Sequence, residues 1–237
     1  MNKGKMKNLI LFDIDGTLIT AGGAGTRSLN LAFHALFKIE DAFKDITMAG
    51  KTDIQIIKEG LDTHGFSMDG NVDKMTEMYL QFLQEKINNP WKMMKPGIVD
   101  LLDLLKDHGM PLGLLTGNLK EGARIKLAPF RLNEYFLDGA FGSDDEDRDN
   151  LLPIAVEKFA RRGYAFSLRQ CIVIGDTPRD VRCAKIHGAY CVAVATGPYP
   201  KDELLKTDAD IVFDSLQDAA ACMEFIKKCA GPSHRVS

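Results

Sequence analysis

Several things are scarce in this 237-residue chain, and each scarcity excludes something. Its five cysteines, Cys171, Cys183, Cys191, Cys222 and Cys229, are odd in number and contain no CxxC pair, which argues against a disulfide framework and for reduced thiols. Long apolar runs are missing as well. After the lysine-bearing start MNKGKMKN the first such run is Leu9 to Phe12, too short for a signal-peptide core or a bilayer span. Charge of one sign is absent: 30 Lys and Arg stand against 33 Asp and Glu, a net charge of -3, so nothing draws the chain to nucleic acid or an anionic membrane. Internal repeats and low-complexity tracts are also lacking. The expectation is a cytoplasmic protein, a monomer or small homo-oligomer with no nucleic-acid or membrane partner, whose charged small ligand is held by local groups.

What is present is enough apolar surface for a sizeable core, at 45% hydrophobic and 27% charged residues. Short apolar runs at Leu9–Phe12, Leu112–Leu115, Cys171–Ile174, Tyr190–Ala195 and Ile211–Phe213 read as strands buried on both faces. Helical stripes lie between them, such as Ile98, Leu101, Leu102 and Leu105, or Leu216, Ala219, Ala220 and Met223. Alternating strand and helix predicts an α/β fold with a doubly wound parallel sheet. One stretch breaks the alternation. Three helical patterns follow one another without a strand: Leu29, Ala32, Phe33, Leu36, Phe37; then Ile54, Ile57, Leu61; then Val72, Met75, Tyr79, Phe82, Leu83. Turn-prone segments at Ala21–Gly25 and Asn88–Trp91 flank them as candidate hinges. The reading is a core of residues 1–21 and 92–237 with an inserted α-helical cap of residues 22–91.

Three strand ends carry candidate chemistry. Asp13-Ile14-Asp15-Gly16-Thr17 follows the first strand directly, where open α/β sheets place their ligands. Two carboxylates this close repel one another unless a cation or a shared proton relieves them. With no histidine or cysteine nearby in sequence, an oxygen-ligated magnesium ion is the simplest remedy. Thr116-Gly117-Asn118 ends another strand with a hydroxyl, a glycine and an amide that can meet phosphate oxygens, although helix capping explains the triplet about as well. Gly175-Asp176-Thr177-Pro178-Arg179-Asp180 ends a third. There Asp176 is a candidate metal ligand and Asp180 a group that orients a ligand or a bound water; capping is again the plain alternative.

These residues carry a resemblance. The chain resembles the haloacid dehalogenase superfamily, in the branch of the phosphoglycolate phosphatases, from Asn8 to about Ile226. The resemblance implies a Rossmann-like core and a magnesium-dependent phosphatase acting on a small phosphorylated metabolite. It implies Asp13 as nucleophile, Asp15 as general acid and base, and phosphate binding by Thr116, Gly117 and Asn118. Asp13, the backbone carbonyl of Asp15, and Asp176 would hold magnesium, with Asp180 in support. One departure stands out: the family pattern has a lysine five residues before a proline, and that place holds Arg148, before Pro153. Arg148 is assigned the role, with Lys126 and Lys158 as substitutes. From the cap, Lys51 is a candidate contact for a second anionic group of the substrate, against the alternative of a solvated lysine.

Other motifs fail on inspection. Gly50-Lys51-Thr52 lacks the glycine five positions earlier that a phosphate-binding P-loop needs. A calcium loop starting at Asp13 would have Leu18 and Ala24 where Gly and Glu belong. Gly23-Ala24-Gly25 has Ser28 at the sixth place of a dinucleotide fingerprint, and only two residues follow Arg235, too few to build an anion cradle around Cys229. A phosphomutase using the same aspartyl phosphate stays open as an alternative, as do a phospho-accepting signalling domain and a silent binding protein.

Overall fold

The computed structural model describes residues 8–229. Along the chain run β1 (Leu9–Phe12), β2 (Ile19–Thr20), α1 (Ala24–Phe37), α2 (Asp53–Thr63), α3 (Asn71–Lys86), β3 (Met93–Met94), α4 (Ile98–Asp107), β4 (Leu112–Thr116), α5 (Lys120–Leu127), β5 (Asp138–Phe141), α6 (Leu151–Arg161), β6 (Cys171–Gly175), α7 (Pro178–Lys185), β7 (Tyr190–Val194), α8 (Lys201–Leu204), β8 (Ile211–Phe213) and α9 (Ala219–Cys229). Six strands form one parallel sheet in the order β5-β4-β1-β6-β7-β8. Strand side chains alternate between its faces. Leu9, Leu11 and Val173 join Ala155, Phe159 and Val181 of α6 and α7 on one side; Ile10, Phe12 and Ile174 join Leu101, Leu105 and Ile226 of α4 and α9 on the other. Both faces are therefore dry, which is why these strands read as unbroken apolar runs. Among the described residues no helix is long and apolar enough to cross a membrane.

The expected doubly wound α/β sheet with an inserted helical cap is what the chain forms. Helices α1, α2 and α3 share a separate apolar cluster. At its centre the Phe33 ring packs against Phe37, Phe43 and Phe66 at centroid distances of 4.7, 5.5 and 5.8 Å. The segments expected as hinges lie side by side. Asn89 Nδ2 donates to the Ala21 carbonyl at 3.0 Å, and β2 pairs antiparallel with β3 through Ile19–Met94 and Thr20–Met93. Two features differ from the sequence reading. That two-residue ladder was not expected, and neither was β5, whose Asp138-Gly139 has the composition of a turn. Gly139 fits the edge strand because an added Cβ would come 2.4 Å from the Leu114 carbonyl.

Candidate active site

β1 lies between β4 and β6, with Phe12 level with both Leu114 and Ile174. The residues following these three strands therefore converge at the point where the sheet order reverses, the usual ligand crevice of open α/β sheets. Asp13, Asp15, Thr116, Gly117, Asn118 and Asp176 meet there because of the register, not because of closeness in sequence.

On one side of the crevice stand Asp13, Asp176, Asp180 and Arg148, all at most 5% exposed. Arg148 begins a short 3-10 turn, Arg148–Asn150, ahead of α6. Its Nη2 donates to Asp13 Oδ1 at 3.0 Å and also to Asp180 Oδ1. The other Asp180 oxygen accepts from Thr177 N at 2.9 Å and Thr177 Oγ1 at 2.7 Å, within the capping box of α7. Asp180 is thus fully engaged in holding Arg148 and the helix start. Thr177, not Asp176, is the N-cap, which removes the plain capping explanation for Asp176. Thr17 Oγ1 donates to Asp176 Oδ1 at 2.9 Å, while Asp176 Oδ2 is buried without a hydrogen-bond partner. Gly16 is required beside it: its φ is 88°, and an added Cβ would come 2.2 Å from that oxygen.

Burial pushes Asp13 up to about 6, with Arg148 pulling against that and Asp180 and Asp15 adding to it. Burial, reinforced by Asp13 and Asp180, also holds Asp176 well above the usual carboxylate range. Such crowding of acids calls for a cation. Carboxylate oxygens of Asp13, Asp176 and Asp180 lie within 4.8 Å of one another, and the unpartnered Asp176 oxygen is a ready ligand. This cluster can hold a divalent metal, and its all-oxygen donor set fits a hard one.

On the other side Asp15 faces Asn118 and Lys126. Asn118 Nδ2 donates to Asp15 Oδ2 and to Thr116 Oγ1, both at 2.9 Å. Lys126 Nζ, 5% exposed on α5, donates to Asp15 Oδ2 at 2.6 Å and Asn118 Oδ1 at 2.5 Å. Burial opposes the ammonium charge, but Asp15, Tyr79 and Asp53 outweigh it and raise Lys126 above its ordinary pKa. Lys126 is thus paired with Asp15, whereas Arg148 is paired with Asp13 and Asp180. Lys158 is elsewhere, paired with Asp144 at 2.5 Å. Neither Thr116 nor Asn118 caps α5. Its N-cap is Leu119, whose N–H is received at 2.9 Å by Asp53 of the cap.

The cap closes over a cavity of about 440 Å³ lined by both halves, a size that suits a small metabolite. Cap and core are knitted together by the turn entering α2. Asp53 N donates to the Gly117 carbonyl at 2.8 Å, Thr52 Oγ1 to the Glu146 carbonyl at 2.9 Å, and Arg148 Nη1 to the Gly50 carbonyl at 3.4 Å. Gly117 accommodates that turn, since an added Cβ would lie 2.2 Å from the Lys51 carbonyl. Lys51 lines the cavity, and its ammonium is paired with Glu59. Asp53, Tyr79 and Lys95 line it too and were missed in the sequence. The available signal was weak: Asp53 looks like an ordinary first-turn acid and Tyr79 like one more member of an apolar stripe. Burial pushes Cys171, Cys183 and Cys222 up to about 12, unsuited to nucleophilic work. Cys229 ends α9, and Arg235 lies outside the described residues.

The sequence matches a family described as haloacid dehalogenase-like hydrolase over residues 7–188. It is 21% identical to phosphoglycolate phosphatase 1 of Pseudomonas aeruginosa, over 98% of this chain and 86% of that one. It is 27% identical to a putative pyrophosphatase PpaX of Caldanaerobacter subterraneus, over 95% and 97%. Among solved structures, a predicted phosphatase from Clostridium acetobutylicum superposes with a TM-score of 0.71 at 20% identity, covering 92% of this chain and 99% of that one. CbbY from Rhodobacter sphaeroides, in complex with phosphate, also gives 0.71, at 19% identity over 90% and 96%. These likenesses in structure speak for the fold.

Proposed function

The chain belongs to the haloacid dehalogenase-like hydrolases, and from that premise we propose that it is a magnesium-dependent phosphatase, related in action to the phosphoglycolate phosphatases, which takes the phosphoryl group of a small soluble metabolite onto Asp13 in the cytoplasm. The observation that carries this reading is the setting of Asp13, paired with Arg148 and clustered with Asp180 and with Asp176, one of whose oxygens has no hydrogen-bond partner.

In this reading Asp13 attacks phosphorus in line, the bond from phosphorus to the leaving oxygen breaks, and Asp15 gives that oxygen its proton. Asp15 then takes a proton from water as the water attacks the aspartyl phosphate, freeing inorganic phosphate and restoring Asp13. Arg148, fixed by Asp180, meets the charge of the phosphoryl oxygens together with Thr116, Asn118 and the turn at Gly117. Asp13, Asp176 and the Asp15 backbone carbonyl would hold magnesium, which supplies further neutralisation of that charge. Residues 22–91 act as the cap that excludes water and contacts the leaving group.

The test is phosphate release from p-nitrophenyl phosphate. Magnesium should be required, EDTA should abolish release, and Asp13→Asn should lower it by at least about a thousandfold with an unchanged circular dichroism spectrum. Residual activity within about tenfold of the parent would overturn the assignment of Asp13.

A further inference from the structure

Helix α5 begins without a cap of its own. A capping box joins a polar N-cap side chain to a carboxylate or amide at the third helical position, which reaches back to the N-cap backbone N–H. In α5 the N-cap is Leu119, which makes no side-chain capping bond, and the third helical position is Gly122. Asp53 of α2 stands in for the missing carboxylate. Its Oδ2 accepts the Leu119 N–H at 2.9 Å, and a methyl group added at Gly122 would lie 3.8 Å from that same oxygen. Its own backbone N–H donates to the Gly117 carbonyl at 2.8 Å. One residue of the cap thus holds the chain on both sides of Asn118. The Tyr79 hydroxyl of α3 stands within hydrogen-bonding reach of the Asp53 carboxylate and steadies it.

What is held in this way reaches Asp15. The Asn118 amide nitrogen donates to Asp15 Oδ2 at 2.9 Å, and the amide oxygen accepts from Lys126 Nζ, which also donates to Asp15 Oδ2. Lys126 sits on the same helix, about two turns beyond Leu119. Asn118 and Lys126 therefore tie the Asp15 carboxylate to a segment that the cap anchors. Resting on the phosphatase reading, in which Asp15 gives the leaving oxygen its proton, we propose that Asp53 is a positioning residue for Asp15. Seated against the start of α5, it fixes Asn118 and Lys126 and so aims the Asp15 carboxyl at the leaving group, making proton transfer depend on the seated cap.

The experiment compares p-nitrophenyl phosphate with phenyl phosphate in the parent, in Asp53→Ala and in Asp53→Asn. The two esters differ by a nitro group, which lets p-nitrophenolate leave as a stable anion, whereas phenolate needs a proton far more. Because kcat/KM covers the steps up to departure of the leaving group, a misplaced Asp15 shows there as a loss that grows with leaving-group basicity. In Asp53→Ala the loss on phenyl phosphate should exceed the loss on p-nitrophenyl phosphate by at least about fivefold. Asp53→Asn, which keeps an oxygen for the Leu119 N–H, should recover most of that difference. The ratio of the two rates in one preparation does not depend on how much of a variant is folded, so a lowered Tm leaves the test intact. Equal losses on both esters, or no loss on either, overturn the proposal and leave Asp53 a structural capping group. An asparagine variant no better than the alanine one also overturns it, since charge and not the bond to Leu119 would then be what counts. A parent that releases phosphate from neither ester would instead overturn the phosphatase reading beneath it.

Discussion

At Arg148 one guanidinium nitrogen serves two carboxylates while another reaches a cap carbonyl. A lysine can keep the charge but not the fork. Arg148→Lys should therefore retain kcat/KM on p-nitrophenyl phosphate within about tenfold, with most of the loss in KM because the Gly50 contact goes. Arg148→Met should fall by more than about a hundredfold and lower Tm, because Asp13 and Asp180 are left buried without their partner. Steady-state kinetics and a melting curve separate the two; a lysine variant as poor as the methionine one would show that the fork, not the charge, matters. Arg148 was legible in the sequence only through its spacing to Pro153. Asp13, Asp176 and Asp180 were legible for a stronger reason, since each follows an apolar run within a few residues, so that strand direction alone carries it to the crevice. Tyr79 and Asp53 had no such signal, because what distinguishes them is tertiary: they meet each other from two different cap helices, and Asp53 also accepts from the start of a core helix.

The turn that starts α2 is the element that joins the two halves of the site. Thr52 is its N-cap, with Oγ1 accepting from Gln55 N at 3.2 Å while donating to the Glu146 carbonyl. Thr52→Ala removes both contacts from a fully buried position. The expected result is a loss of about 1 kcal/mol in stability, with faster hydrogen exchange over residues 53–63 and a raised KM, because the same turn lies against Gly117. Exchange that quickens without any change in KM would confine Thr52 to capping. Helices α1, α2, α3, α4 and α9 could be read from apolar spacing, and five of the six main strands from their continuous runs. The exception, β5, was hidden because an edge strand that needs Gly139 for a close approach carries the same letters as a turn.

For the whole molecule the acid cluster makes stability depend on pH in the absence of metal. Asp13 rises from an ordinary 3.8 to about 6 on folding, so the folded state binds this proton more tightly than the unfolded one. Its contribution is complete below about pH 4 and is lost as pH rises through about 6, on the order of 3 kcal/mol in all; Asp176 acts in the same sense. In EDTA, Asp13→Asn should therefore gain Tm relative to the parent as pH is raised from 4.5 to 7.5, and added magnesium should shrink that gain. A difference in Tm that stays constant across this range would show that the cluster is not strained. The insertion has a different bearing on the molecule. Its two crossings are clasped by the ladder of Ile19 and Thr20 with Met93 and Met94 and by Asn89 on Ala21, so the helices leave the sheet and return to it at neighbouring points. A segment with touching ends imposes the same closure on the sheet whatever its internal length. The three helices are in this respect a replaceable module: another insert seated on the same clasp would bring a new set of walls to the cavity while the strand ends kept their carboxylate cluster.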